Sequence, residues 1–308
     1  MTWLLWRQHR IQLALAVAVI IAFAIPTWIT GTHLSTALQD CQASSNCGGF
    51  DLLRHYGAIR VIVNLTMAVP LLIGVFWGAT LFGRECDAGT ATLVWTQSVT
   101  RRRWIASKVL TLFALSIACS ATISGLVTWW SNTANATLES RFDGAQFDIQ
   151  NIAPVGFAVF GAALGLAAGA LWRRILPAMA TTVGAFIGVR LLIELAIRPH
   201  YMSPITQTLA MGAAKQSLPS GSLEIGDDLV LHGHVLSGPV AVDASCGARA
   251  LTRERMDACM SSVGYRIRHT YQPASRYWTF QWIEFGIFVG LAAILIAVAV
   301  LAVRRRDA

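Results

Sequence analysis

Charged side chains are scarce in this 308-residue chain: only 13% of its residues are Asp, Glu, Lys or Arg. A soluble domain of ordinary composition carries about 25% charged residues, whereas 55% of the residues here are apolar and the mean hydropathy is +0.55. This composition excludes a disordered chain, which needs high charge and low hydrophobicity. It also argues against a soluble globular protein and predicts a membrane protein.

The sequence also lacks the short motifs of nucleotide binding and of common hydrolytic sites. Neither of its lysines, Lys108 or Lys215, follows a glycine, so no Walker A loop can form around a phosphate. No His-Glu-x-x-His, Gly-x-Ser-x-Gly or Cys-x-x-Cys occurs. His232 and His234 form a His-x-His pair, but with no third ligand indicated they fit an exposed strand or turn better than a zinc site. We therefore expect no enzyme, no catalytic residue, no metal site and no cofactor in this chain.

Long apolar runs are, in contrast, abundant. A helix needs about 20 mostly apolar residues to cross the ~30 Å hydrocarbon core of a membrane. Six stretches qualify, near residues 11–29, 60–83, 106–130, 153–172, 175–197 and 280–303. They predict an all-α polytopic membrane protein with six transmembrane helices. Trp28, Trp129 and Trp282 lie near the ends of these stretches, as expected for indole rings in the headgroup region.

Positive charge is distributed unevenly around these stretches. The termini and the loops on their side of the membrane hold 12 of the 24 Lys and Arg residues and only three acidic ones. The rest of the chain carries 12 positive and 13 negative charges. Because short cytoplasmic loops retain Lys and Arg, both termini are predicted to be cytoplasmic. This topology accounts for the net charge of +8, and we expect no nucleic-acid partner.

The N-terminus admits two interpretations. Basic residues, an apolar run and the Ala22-Phe23-Ala24 tripeptide imitate a cleaved signal peptide. However, the apolar run continues to Ile29, and the residues before the first arginine are themselves apolar. A short interfacial amphipathic helix that leads into a retained span fits better.

The apolar stretches divide the chain into four regions. The first is the N-terminal interfacial helix (1–10), and the second is a block of five spans (11–197) that contains a cytoplasmic coupling segment (84–105). The third is a small extracytoplasmic α+β subdomain (198–279), and the fourth is a last span with a basic tail (280–308). Within the subdomain, residues 229–236 and 265–271 have strand-like composition, and 248–260 are more helix-like.

Cysteines occur in pairs in the predicted outer loops. Cys41 and Cys47 lie in the first of these loops, and Cys246 and Cys259 lie in the last. Disulfides persist in oxidising compartments such as the outside of a cell. We therefore predict the disulfides Cys41–Cys47 and Cys246–Cys259 over the alternative of free thiols. Each closes a short loop, so each should add only about 2–3 kcal/mol of stability.

Three ionisable residues lie within the predicted spans. Arg190 and Glu194 are four residues apart near the outer end of the fifth span, and Glu284 lies near the outer end of the sixth. Burying charge in lipid is costly, so such residues are functional candidates. One interpretation is a structural ion pair of Arg190 with Glu194 or Glu284; the other is a polar substrate pathway. In either case, replacing both glutamates should have more effect than replacing an outer-loop acid such as Asp148.

Glycines recur every four residues in two spans, at Gly161, Gly165 and Gly169 and again at Gly184 and Gly188. Small residues at this spacing let helix backbones approach closely. We interpret them mainly as packing positions within the chain, with a dimer face as the alternative.

The connection between the second and third spans holds the most informative pattern. It contains Glu85, the turn Gly89-Thr90 and a basic cluster that begins at Arg101, followed by Lys108. Its composition alone predicts an interfacial segment whose arginines are held at anionic lipid headgroups. The topology and this Glu-x-x-x-Gly-Thr pattern with its downstream Arg and Lys resemble the membrane subunits of ABC-2 type ABC transporters.

The resemblance implies an exporter. In that family the segment is a coupling helix that docks in a groove of a separate ATP-binding subunit, and ATP and Mg²⁺ bind there. Two permease subunits pair, which suggests a homodimer here, and ATP hydrolysis moves amphipathic or hydrophobic cargo outward across the bacterial plasma membrane. Two features depart from the family: Ser98-Val99 replaces a common proline, and the 198–279 region is longer than the usual re-entrant hairpins.

Two other functions were weighed against export. A membrane sensor or scaffold would bind a ligand or partner through the 198–279 subdomain, but it would not need the acidic, Gly-Thr and basic pattern. An intramembrane enzyme is disfavoured because no paired acids, histidine cluster or nucleophile lies at membrane depth. The substrate stays open among drugs, lipids, peptides and antibiotics.

Overall fold

The computed structural model describes residues 2–43, 57–81, 101–134, 141–142, 144–210, 219, 221–236, 246 and 252–305. Most of these residues are helical. In chain order the helices are α1 (Thr2–Ala43), α2 (residues 57–81), α3 (Arg101–Ala134), α4 (Gly144–Ile149), α5 (Ala153–Trp172), α6 (Ile175–His200), α7 (Arg253–Val263) and α8 (Tyr277–Arg305). The strands are β1 (Ile205–Ala210), β2 (Leu223–Leu231), β3 (His234–Val235) and β4 (Tyr265–Gln272).

Five helices of the described residues are long and apolar enough to cross a membrane: α2, α3, α5, α6 and α8. They correspond to five of the six stretches predicted from the sequence. The remaining stretch, 11–29, lies inside α1, and its role as a span stays a prediction. α1 continues without a break from Thr2 to Ala43.

α5 forms the centre of the bundle and packs against α2, α3, α6 and α8. Most of its residues are buried, among them all three glycines of the 161–169 series. A Cβ on Gly161 would lie 2.5 Å from the carbonyl oxygen of Pro70, and one on Gly169 would lie 2.8 Å from that of Ala79. These glycines therefore let the backbones of α2 and α5 touch.

The second glycine pair behaves differently. A Cβ on Gly184 or Gly188 of α6 would meet no atom of the described residues within 4 Å. The 161–169 series is thus a packing seam within the chain, whereas the 184–188 pair faces away from the bundle.

α2 departs from regular α-helix around its proline. A 3₁₀ turn, Thr66–Ala68, precedes Pro70, and a π-helical turn, Ile73–Gly78, follows the short α-helical turn that contains it. Proline lacks the backbone N–H and its ring clashes with the preceding turn, so a change of helical pitch is expected there.

The strands form one antiparallel sheet in the order β1-β4-β2-β3. β4 occupies the region predicted as strand, and α7 overlaps the helix-like region 248–260. β2 begins at Leu223, six residues before the predicted strand, because pairing with β4 holds an acidic segment whose own strand propensity is low. β1 had not been predicted: it is a short edge strand with most of its residues exposed or half-exposed.

Candidate functional site: a buried charge cluster

Four charged side chains meet where α6 ends and α8 begins, at the end of the bundle next to the sheet. Arg190 and Arg198 come from α6, Glu284 from α8, and Asp148 from the short helix α4. We call these four residues the charge cluster. Each side chain is at most 7% exposed, which is rare for ionised groups unless they are paired.

The helical pitch of α6 brings its two arginines to the same side. In a regular α-helix, residues eight positions apart point about 80° away from each other. Between Arg190 and Arg198, however, lies the π-helical turn Ile193–Ile197, which accommodates an extra residue. This turn removes most of the offset, so both guanidinium groups reach the same carboxylate.

Asp148 is the centre of the charge cluster. Its Oδ2 accepts a hydrogen bond from Nη2 of Arg190 at 2.5 Å, and its Oδ1 accepts one from Nη2 of Arg198, also at 2.5 Å. Arg198 in turn donates from Nε and Nη2 to the two carboxylate oxygens of Glu284, at 2.9 and 2.6 Å. This two-pronged contact is the strongest geometry for an arginine–carboxylate pair.

Aromatic rings enclose the charges. The guanidinium carbon of Arg190 lies 3.8 Å from the ring centre of Phe157, and that of Arg198 lies 4.6 Å from the ring centre of Phe147. The Tyr201 hydroxyl lies 3.5 Å from Glu284. Burial, together with repulsion from the Glu284 carboxylate, raises the pKa of Tyr201, so its hydroxyl stays protonated and can donate.

Hydrogen bonds fix the segment that carries Asp148. Gln281 of α8 donates from its side-chain amide to the Phe147 carbonyl at 3.0 Å and accepts from the Ala153 N–H at 2.8 Å. Asn151 donates to the Tyr277 hydroxyl at 2.7 Å. α4 is therefore anchored to α8 on both sides of Asp148, which keeps the carboxylate in reach of both arginines.

The cluster is electrically balanced, because two arginines face two carboxylates. A buried, neutral group of this kind offers no free charge to an ionic substrate. What the arrangement can do is hold α4, α6 and α8 together.

Two of the three predicted intramembrane residues, Arg190 and Glu284, enter this cluster, but they are linked through Asp148 and Arg198. Glu194 is half-buried beside the start of α4, its Oε1 3.0 Å from where a Cβ on Gly144 would lie.

The choice of Asp148 as an outer-loop acid without a structural role was wrong, because Asp148 accepts hydrogen bonds from both Arg190 and Arg198. Its position between Phe147 and Ile149 was the available signal of burial.

The predicted coupling residues Glu85, Gly89 and Thr90 lie outside the described residues. Arg101 is the first residue of α3. Lys108, about two turns later, is buried with 4% exposure.

The cysteines are described in part. Cys246 and Cys259 are joined by a disulfide, with their Cα atoms 5.8 Å apart. Cys47 lies outside the described residues, and Cys41 lies near the end of α1.

The family described as ABC-2 membrane transporter related matches residues 13–198, more than half of the chain. The chain belongs to this family. No curated protein and no solved structure gives a significant match.

Membership of the ABC-2 family indicates a permease component of an ABC transporter, a multi-pass membrane protein that associates with an ABC ATP-binding subunit. The matched region runs from within α1 through α5 into α6 and ends at Arg198, a member of the charge cluster. The sheet and α8 follow it in the chain.

Proposed function

We propose that this ABC-2 family protein is the permease subunit of an ATP-driven exporter of the bacterial plasma membrane. It moves an amphipathic or hydrophobic substrate outward and is powered by a separate ATP-binding subunit, which binds ATP and Mg²⁺. The observation that carries this proposal is the family match over residues 13–198. The charge asymmetry between the two sides of the predicted membrane supports the orientation.

In this proposal the segment 84–105 docks on the ATP-binding subunit. It connects α2 to α3, so a force applied there reaches both helices. α2 touches α5 backbone to backbone through Gly161 and Gly169. α3 is tied to the start of α5, because Ser120 donates to the Pro154 carbonyl at 2.9 Å. These contacts give a rigid route from the docking segment to the centre of the bundle.

Two copies of the permease pair in this proposal, and α6 contributes to their contact. Gly184 and Gly188 face away from the bundle, and within the part of the chain that the structure describes no atom lies within 4 Å of where their Cβ atoms would be. Glycines at this spacing allow a second helix to approach. The resemblance to ABC-2 permeases, which pair partly through their fifth span, supports the proposal that this span, α6, lies at the subunit contact.

The charge cluster has a supporting role in this proposal. It holds the ends of α6 and α8 together while the other end of the bundle follows the ATP-binding subunit. Its neutrality and burial favour this role over direct contact with the substrate.

The proposal is tested on the complex of this chain with the ATP-binding subunit that co-purifies with it, reconstituted into vesicles. Glu85→Ala and Gly89→Trp are compared with Asp228→Asn, an acid on the exposed part of β2. We expect the first two variants to reduce complex formation or to uncouple ATP hydrolysis from substrate export, and Asp228→Asn to change neither. Unchanged association and coupling in both segment variants would remove the docking role of this segment.

A further inference from the structure

A second group of polar side chains lies on the sheet, away from the charge cluster. Glu224 and Asp227 of β2 and His269 of β4 place three ligand-type atoms within 4.8 Å of one another. We propose that these three residues, the acid–imidazole cluster, bind a divalent transition-metal ion such as Zn²⁺.

A β-bulge brings the two carboxylates together. In a regular strand, residues three positions apart point to opposite faces, so Glu224 and Asp227 would be separated by the sheet. The pairing of β2 with β4 shifts register between Glu224 and Gly226. The extra residue turns Glu224 to the face of Asp227, and Asp227 pairs directly with His269. Bulges of this kind re-aim side chains and are common beside functional sites.

The distances suit a metal ion. Nδ1 of His269 lies 2.5 Å from Oδ1 of Asp227 and 3.7 Å from Oε1 of Glu224. Zinc binds imidazole nitrogen and carboxylate oxygen at about 2.0–2.2 Å, which in tetrahedral geometry separates two ligands by roughly 3.3 Å. The two observed distances lie on either side of this value. Side-chain shifts of under 1 Å would therefore bring all three atoms into a coordination shell.

Burial gives the site a fixed base and an open entrance. The side chain of His269 is 6% exposed, whereas those of Glu224 and Asp227 are 55% and 43% exposed. His269 lies on β4, one of the two inner strands of the sheet, and pairs with Gln207 of β1 on the side away from β2. An ion can therefore approach from solvent and meet an imidazole that the sheet already holds in place.

The donor set decides the class of ion. One imidazole and two carboxylates supply the nitrogen and oxygen donors that zinc binds, and three protein ligands would leave a fourth tetrahedral position for water. Calcium requires six to eight oxygen ligands, so it fits this set poorly. Because Glu224 and Asp227 come from β2 and His269 comes from β4, a bound ion would cross-link the two strands.

The inference is tested by zinc titration of the full-length protein in detergent, after treatment with a chelator and dialysis. Zn²⁺ is added against a chromophoric competitor, and bound metal per chain is measured. We expect one ion per chain, at least tenfold weaker binding in both Glu224→Gln and Asp227→Asn, and no displacement by excess Ca²⁺. Both substitutions are at exposed positions, so the sheet should still fold; an intact Cys246–Cys259 disulfide in mass mapping checks this.

Two control variants separate this site from others. Asp228→Asn changes the neighbouring acid, which points to the opposite face of β2, and should leave zinc binding unchanged. The double variant His232→Gln/His234→Gln removes the His-x-His pair at the β2–β3 turn and should also leave it unchanged. The inference is overturned if the wild-type protein binds no zinc. It is equally overturned if Glu224→Gln and Asp227→Asn bind zinc as the wild type does, or if only the double histidine variant loses binding.

Discussion

Replacing Asp148 with asparagine tests the charge cluster directly. The change keeps the shape of the side chain but leaves two buried arginines facing one carboxylate. Removing one partner of a buried ion pair typically costs about 3–5 kcal/mol, because the remaining charge stays desolvated without compensation. Asp148 accepts hydrogen bonds from two guanidinium groups, and charge-assisted hydrogen bonds contribute about 1.5–3 kcal/mol each. The two routes to the magnitude agree.

The assay is thermal unfolding of the purified protein in detergent, followed by tryptophan fluorescence. A loss of about 3–5 kcal/mol should lower the Tm by on the order of 10 °C for a chain of this size. Glu194→Gln is the matched control, because it also neutralises an acid beside α4. Glu194 is only half-buried and lies outside the charge cluster, so we expect a loss of no more than about 1 kcal/mol.

A second variant distinguishes lost charge balance from lost packing. Arg190→Met, combined with Asp148→Asn, removes the uncompensated positive charge and places an apolar side chain against Phe157. Replacing a buried ion pair by apolar residues of similar volume is often neutral, so the double variant should recover at least half of the lost Tm. If Asp148→Asn unfolds no earlier than Glu194→Gln, or if the double variant is less stable than the single one, the electrostatic account of the cluster is wrong.

Three further predictions concern other parts of the molecule. Gly165→Val should lower the Tm strongly, because a side chain there would meet the Gly74 backbone of α2. Overpacking a tight contact costs about 1–3 kcal/mol or more. The control is Gly125→Val, because among the described residues no atom lies within 4 Å of a Cβ at that position. Gly184→Val/Gly188→Val should leave the monomer folded but reduce chemically cross-linked dimer, and unchanged cross-linking would exclude this face of α6 from the subunit contact. Cys246→Ser/Cys259→Ser should speed hydrogen exchange in α7 and β4, in line with a local loss of about 2–3 kcal/mol, and equal exchange rates would show that the disulfide contributes no stability.

The helical part of the fold was largely accessible from the sequence. Five of the predicted apolar stretches coincide with span-length helices. A continuous apolar run of this length can be recognised from the local sequence alone, with no knowledge of which distant residues it contacts. The glycine seam was also visible, since its four-residue spacing follows from helical geometry alone. The sequence did not show which helix the seam contacts.

The partners within the charge cluster could not be read in the same way. Asp148 is separated from Arg190 by 42 positions and Arg198 from Glu284 by 86, and pairings over such distances depend on how the elements meet in space. Arg198 lies one residue beyond the predicted end of the fifth span, so it was not counted among the intramembrane charges. The π-helical turn of α6, which aligns Arg198 with Arg190, has no simple sequence signature.

The acid–imidazole cluster was missed for a related reason. Regular strand alternation places Glu224 and Asp227 on opposite faces, and only the bulge between Glu224 and Gly226 reverses this. The histidine pair that did attract attention as a zinc motif, His232 and His234, forms the exposed end of a hairpin instead.

The contact between Arg198 and Glu284 also bears on how this protein can change over evolution. The chain leaves the bundle directly after Arg198 and has returned to it by Glu284, yet the two side chains touch although 86 positions separate them. The two ends of the intervening region therefore lie next to each other at one point of the bundle. Lengthening, shortening or replacing such a region need not shift any span, because the distance between its ends is set by the bundle alone. Selection can thus act on the sheet region independently of the helical bundle.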